Sequence, residues 1–91
     1  MQDIKYLEKV FKVLANRRRL AIINCLRKNK EIKVGDIANE IRLSLKSTSK
    51  HLIQLFNAGI VEREQRGLLM YYKLSLNQNN IVKYIISNSR E

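Results

Sequence analysis

Apolar positions recur every three or four residues along the first two thirds of the chain, then switch to alternation. Ile4, Leu7, Val10, Phe11 and Leu14 share one side at helical spacing and predict a first helix over about 3–14. Asn16 fits the N-cap of a second helix that runs to about Arg27, with Leu20, Ile23 and Leu26 facing inward. Glu31-Ile32-Lys33 reads as a short extended piece able to pair, and Val34, Ile37, Ala38 and Ile41 as a brief third helix. Ser44 is the expected N-cap of a fourth helix ending near Asn57-Ala58-Gly59, where Gly59 supplies a left-handed residue. Two strand-like runs follow, Ile60 to Glu64 and Leu68 to Leu74, joined by Gln65-Arg66-Gly67. In the second run Met70, Tyr72 and Leu74 point one way and Leu69, Tyr71 and Lys73 the other. A last helix over about 78–88 carries Ile81, Val82, Tyr84, Ile85 and Ile86.

This order is helix, helix, helix, helix, hairpin, helix, with only a few residues between the third and fourth helices. The expected fold is mainly α with a small β-hairpin, a winged helix-turn-helix of order α-α-α-α-β-β-α. In such an arrangement the second helix of the close pair lies in the DNA major groove. The absence of proline, repeats and Gly/Ser-rich linkers predicts one domain over residues 1–91.

The fourth helix carries the chemistry. Leu45, Thr48, Leu52, Leu55 and Phe56 form its apolar stripe, while Lys46, Ser47, Lys50 and Gln54 fall opposite and Ser49 and His51 flank them. Lysine pairs with phosphate or with guanine acceptors, and Ser, His and Gln reach base edges, so this face suits double-stranded DNA. Lys46 and Lys50 are the expected phosphate or guanine contacts, and Ser47 and Gln54 the base-edge candidates. His51 reads either as a flank contact or as a packing histidine, and Thr48 as core. The plain alternative is a solvated face on an ordinary amphipathic helix.

Charge strengthens the DNA reading. The chain has 91 residues and a formal net charge of +10, which favours a polyanionic partner through phosphate neutralisation and counterion release. Nine Lys/Arg fall within residues 1–30 against Asp3 and Glu8 alone, so the footprint extends beyond the fourth helix. Arg17 and Arg18 are expected to face phosphate. At the hairpin, Arg63 and Arg66 are minor-groove or phosphate candidates, and Arg66, at the bend, is preferred because Glu62 and Glu64 flank Arg63. No apolar run is long enough to span a membrane and no signal-peptide pattern opens the chain, so a cytoplasmic protein is the default. The single cysteine, Cys25, excludes an intrachain disulfide and reads as a small buried residue.

With these pieces assembled, the chain resembles the ArsR family of winged-helix transcriptional regulators over roughly residues 10 to 76. The resemblance is carried by Phe11-Lys12-Val13-Leu14-Ala15-Asn16 with Arg19-Leu20, and by Val34-Gly35-Asp36-Ile37-Ala38. It continues through Leu43-Ser44, Thr48-Ser49-Lys50-His51-Leu52, Leu55, Ala58-Gly59-Ile60-Val61, Gly67 and Tyr71-Tyr72-Lys73-Leu74. It implies a homodimer that pairs through first and last helices and represses a promoter until an inducer binds. The expected interface is Ile4, Leu7 and Phe11 with Ile81, Val82, Tyr84 and Ile85, and a dimer implies an inverted-repeat operator. Arg19 matches a family position for which a structural role stands beside a phosphate-facing one.

The departures from the family bear on the effector. Where metal-sensing members carry a Cys-x-Cys-type pair, this chain has Lys33-Val34-Gly35, and its last helix opens with Asn77-Gln78-Asn79-Asn80 instead of Asp and His ligands. One Cys and one His on different helices cannot supply the three or four ligands that zinc or arsenite needs, so no metal or cofactor is expected. The sequence names no inducer. Catalysis is not expected either: His51 lacks a Ser/Asp partner at recognisable spacing, and Asp36 and Glu40 read as surface charge. Two other functions stay open at this point, a winged-helix protein-interaction module and a non-specific nucleic-acid binder.

Overall fold

The computed structural model describes residues 4–75 together with Lys83, Tyr84, Ser87 and Asn88. In chain order it contains α1 (Ile4–Leu14), α2 (Arg17–Lys28), β1 (Ile32–Lys33), α3 (Val34–Ile41), α4 (Leu45–Asn57), β2 (Val61–Arg66) and β3 (Leu69–Leu74). The helix starts follow their predicted caps. The Asn16 side-chain oxygen accepts from the amides of Arg18 and Arg19 at 3.0 and 3.1 Å, and Ser44 Oγ accepts from the amide of Ser47 at 3.1 Å. Gly59, just past α4, has φ +75. Between α3 and α4 a non-glycine residue, Arg42, takes the left-handed conformation at φ 56 and ψ 50. That turn is short because Leu43 donates back to the Ala38 carbonyl at 3.0 Å.

The core lies where the helices meet the sheet. Val10, Val13 and Leu14 of α1 pack with Ile22, Ile23 and Leu26 of α2, Ile37 of α3, and Leu52 and Leu55 of α4. Ile60, Val61 and Tyr72 close it from the hairpin side. The alternation in β3 is borne out: Tyr72 is buried, and Met70 and Leu74 pack against the same cluster. Burying these side chains is the dominant favourable contribution, each worth about 1.5–3 kcal/mol before entropy is counted.

Three details differ from the sequence reading. First, the pairing open to β1 is made antiparallel with β3, Ile32 opposite Tyr72 and Lys33 opposite Tyr71, so the expected two-stranded hairpin is a three-stranded sheet of order β1-β3-β2. Second, the bend is Gly67-Leu68 rather than Gln65-Arg66-Gly67. Gln65 and Arg66 stay in the ladder opposite Met70 and Leu69, and Gly67, with φ +63, provides the reversal. Leu68 therefore stands fully exposed at the tip instead of opening a strand. Third, Leu45 does not belong to the inward stripe: it is 56% exposed. Ser44, Leu45 and Lys46 are all exposed because the first turn of α4 stands clear of the core, and burial begins at Thr48. The last helix expected over 78–88 lies mostly outside the described residues. Of its expected interface residues, Tyr84 is helical and exposed, whereas Ile81, Val82 and Ile85 are not described.

Candidate nucleic-acid interface

Thr48, Leu52 and Leu55 are the buried residues of α4. Their spacing of four and three residues turns one edge of the helix inward, against α2, α3 and β2. Consequently Lys46, Lys50 and Gln54 are exposed on the other side, and Ser47, Ser49 and His51 are half-buried along its margins. Among the described residues neither Lys46 nor Lys50 has an ion-pair partner, so both ammonium groups face solvent with their donors free. Ile53 is exposed on the same helix, an apolar group of the kind that meets thymine methyls. Thr48 is core, as expected, but its buried hydroxyl has no hydrogen-bond partner among the described residues.

Two side chains from distant parts of the chain hold α4 in place. Lys9 of α1 donates its ammonium to the Asn57 carbonyl at 3.0 Å, placing a cation at the negative end of α4, whose own last turn has no basic residue. Arg19 of α2 donates Nε–H to His51 Nδ1 at 3.2 Å and Nη1–H to the Val13 carbonyl at 3.2 Å. Because Nδ1 accepts, the neutral ring carries its proton on Nε2. Burial, followed by the charges of Arg19 and Arg18, holds the His51 pKa below its ordinary value. His51 is therefore a hydrogen-bonded, half-buried residue that still has one donor to offer. Arg17 and Arg18 are exposed at the start of α2.

The wing is different. Arg66 Nη2 lies 2.7 Å from Glu31 and 2.8 Å from Glu64, and its guanidinium stacks 4.4 Å over the Tyr71 ring. Its hydrogen bond to Glu64, then that to Glu31, raises the Arg66 pKa, while the same arginine holds the Glu64 carboxyl below the usual range. Arg63, exposed, lies 4.0 Å over the Phe56 ring at the end of α4, and Lys73 pairs with Glu62 at 3.8 Å. Glu31, Glu62, Arg63, Glu64, Tyr71 and Lys73 line an open groove of about 260 Å³ whose charges are mixed. Sequence reasoning placed Arg66 at the bend as the freer arginine. It did not detect Glu31, which lies 35 positions away and gives no local signal. The Lys9 and Arg19 links, 48 and 32 positions apart, were invisible for the same reason.

Elsewhere the site candidates separate cleanly. Cys25 is buried on α2, and burial, reinforced by a hydrogen bond to Glu40 and by its charge, pushes the thiol up to about 12. Glu40 also pairs with Lys28 at 3.8 Å. Among the described residues no group of three His, Cys, Asp or Glu side chains could hold a metal ion, and no helix is long and apolar enough to cross a membrane. On α1, Ile4 is 84% and Phe11 48% exposed, with Leu7 half-buried. An apolar face thus remains on α1 beyond the one that Val10, Val13 and Leu14 bury.

A helix pair joined by a tight turn, with an outward basic second helix and an adjoining hairpin, is a winged helix-turn-helix. The sequence family described as bacterial regulatory protein, arsR family, matches residues 16–63, just over half of the chain, and the protein belongs to that family. Its members are transcription regulators, not enzymes. A cadmium resistance transcriptional regulatory protein, CadC of Listeria innocua, is 42% identical over 62 residues, 68% of this chain and 52% of that protein. This chain thus spans about half the length of that relative. HlyU from Vibrio cholerae superimposes with a TM-score of 0.78 at 31% identity, covering 91% of this chain and 86% of HlyU. The homodimeric winged helix-turn-helix DNA-binding domain Mb0332 from Mycobacterium bovis gives 0.79 at 30% identity, covering 92% of this chain and 74% of that domain.

Proposed function

We propose that this protein is a sequence-specific transcriptional repressor that binds an inverted-repeat operator in double-stranded DNA as a homodimer. The observation that carries the reading is the division of α4 into a buried edge at Thr48, Leu52 and Leu55 and an exposed side at Lys46, Lys50 and Gln54. A helix anchored along one edge, with unpaired cations and an amide opposite, enters a major groove without unfolding anything. Arg17 and Arg18 supply phosphate contacts beside it, and Ser47 and Ser49 line its margins. The wing adds Arg63 as its available guanidinium, and Arg66 contributes only by leaving Glu31 and Glu64.

The exposed Ile4 and Phe11 on α1, with Tyr84 of the last helix, support pairing through these helices. The homodimeric state of the Mycobacterium bovis neighbour is in keeping with it. Two copies present two α4 helices about one DNA turn apart, roughly 34 Å, and so read two half-sites. Repression then follows from occupancy of a promoter. The chain's single Cys and single His favour an effector other than a metal ion, or none.

Selection of bound duplexes from a random pool tests the reading. The expected product is a short inverted repeat whose half-sites are separated by about ten base pairs. Equal affinity for the selected duplex and random DNA would favour a charge-only binder, and no binding at all would leave a protein-docking module. A reporter driven by the selected site decides the sign of regulation, because HlyU is named a transcriptional activator.

A further inference from the structure

We infer that Arg19 is a positioning residue which fixes His51 so that its Nε2–H donates to a DNA backbone phosphate, an assignment that rests on the DNA-binding reading above. Arg19 Nε–H occupies His51 Nδ1 at 3.2 Å, and Arg19 Nη1 is itself tied to the Val13 carbonyl at the end of α1. The guanidinium is thereby held at two points, and the imidazole can rotate or change tautomer only by breaking the link. Nε2 is left with a proton and with no partner among the described residues, on a half-buried residue at the margin of the proposed DNA face.

The surrounding charge selects phosphate over a base edge. The charged groups that act on His51 are Arg19 and Arg18, both on α2, and no carboxylate is among them. A neutral donor bonded to one guanidinium and within the field of a second is a site for an anion. Because Val13 belongs to α1 and His51 to α4, the same arginine also joins the helix proposed to dimerise to the helix proposed to read DNA.

Nitrogen chemical shifts of the His51 ring, read on DNA-free protein, test the positioning. Wild type is expected to show a single Nε2–H tautomer at neutral pH, and Arg19→Gln a shift of both ring nitrogens toward averaging. Affinity is read on a duplex recovered from a random pool with the wild-type protein. His51→Phe is expected to lose about tenfold, the scale of one hydrogen bond to a charged acceptor, uniformly across sequence variants of the duplex. His51→Gln, which retains an amide donor, should recover most of that loss. Arg19→Gln should cost a similar factor in the wild-type background and nothing further in His51→Phe.

Unchanged nitrogen shifts in Arg19→Gln, or full additivity in the double variant, would overturn the positioning role. A changed sequence preference in His51→Phe would overturn the phosphate assignment. If Arg19→Gln fails to fold, a wild-type ring protonated on Nδ1 still overturns the proposal, and the His51 variants still test the donor. If wild type yields no duplex, the DNA-binding reading fails and the donor role fails with it, while the nitrogen shifts continue to judge the Arg19 link.

Discussion

The fourth helix and the wing carry comparable positive charge, yet most of the wing's is already paired with carboxylates. On α4, Lys46 and Lys50 stand exposed, and among the described residues neither has an ion-pair partner. On the wing, Arg66 is shared between Glu31 and Glu64 and stacked on Tyr71, Lys73 answers Glu62, and Arg63 lies over Phe56. A cation already paired must give up its partner before it meets a phosphate, so its net contribution to binding is reduced by what it leaves. Counting Lys and Arg along a sequence measures formal charge, whereas binding draws on the unpaired fraction. The wing is in this sense a charge-compensated strut, and α4 the electrostatically open element.

The sharpest way to break this comparison is to remove charge from each side in turn. Lys46→Ala combined with Lys50→Ala is expected to weaken binding to a selected duplex by about 2–4 kcal/mol and to lower the salt slope by about two, read by fluorescence titration at several salt concentrations. Unchanged affinity would abolish the distinction between the two regions. Thr48→Val replaces a buried hydroxyl without a partner by a methyl group. It should raise stability by about 1 kcal/mol in denaturant melts while leaving DNA affinity unaltered, since the change lies on the inward edge of α4. Arg66→Ala should alter affinity by less than about 0.5 kcal/mol, because the exposed pairs it breaks offset the charge it removes. A loss as large as that of the lysine pair would make the wing an equal partner.

The smallest expected effect is in acid. The His51 pKa is depressed in the fold, so below the ordinary value of 6.5 the unfolded chain binds more protons than the folded one. Stability present above that value is then lost as pH falls through the depressed one. Thermal melts at neutral and mildly acidic pH should show a pH-dependent loss in wild type that is smaller in His51→Gln. The reverse order would remove the burial of His51, with the charges of Arg19 and Arg18, as its cause.

What the sequence could reveal divides along the range of the interaction. Asn16 and Ser44 were readable as caps because an N-cap side chain bonds to amides two or three residues ahead. The inward faces of α4 and β3 followed from periods of 3.6 and 2. Periodicity misjudged Leu45 because a wheel reports direction but not how far a helix extends beyond its core. The hairpin bend was displaced because Gln65 and Arg66 look like turn residues, although the positive φ at Gly67 decides where the chain reverses. Arg66 and His51 stood out in the sequence as candidates, but their partners Glu31 and Arg19 come to them only on folding. No local pattern encodes a contact of that kind.

One small element has a wider consequence. The two residues of β1 fasten the wing to the segment that leads into α3, so hairpin and helix pair are hydrogen-bonded into one jaw. The gap between that jaw's two edges is therefore a property of the fold. Adding residues at Gly67-Leu68 would lengthen the reach of the tip while leaving its bearing fixed, whereas replacing Ile32 with proline would loosen the bearing itself.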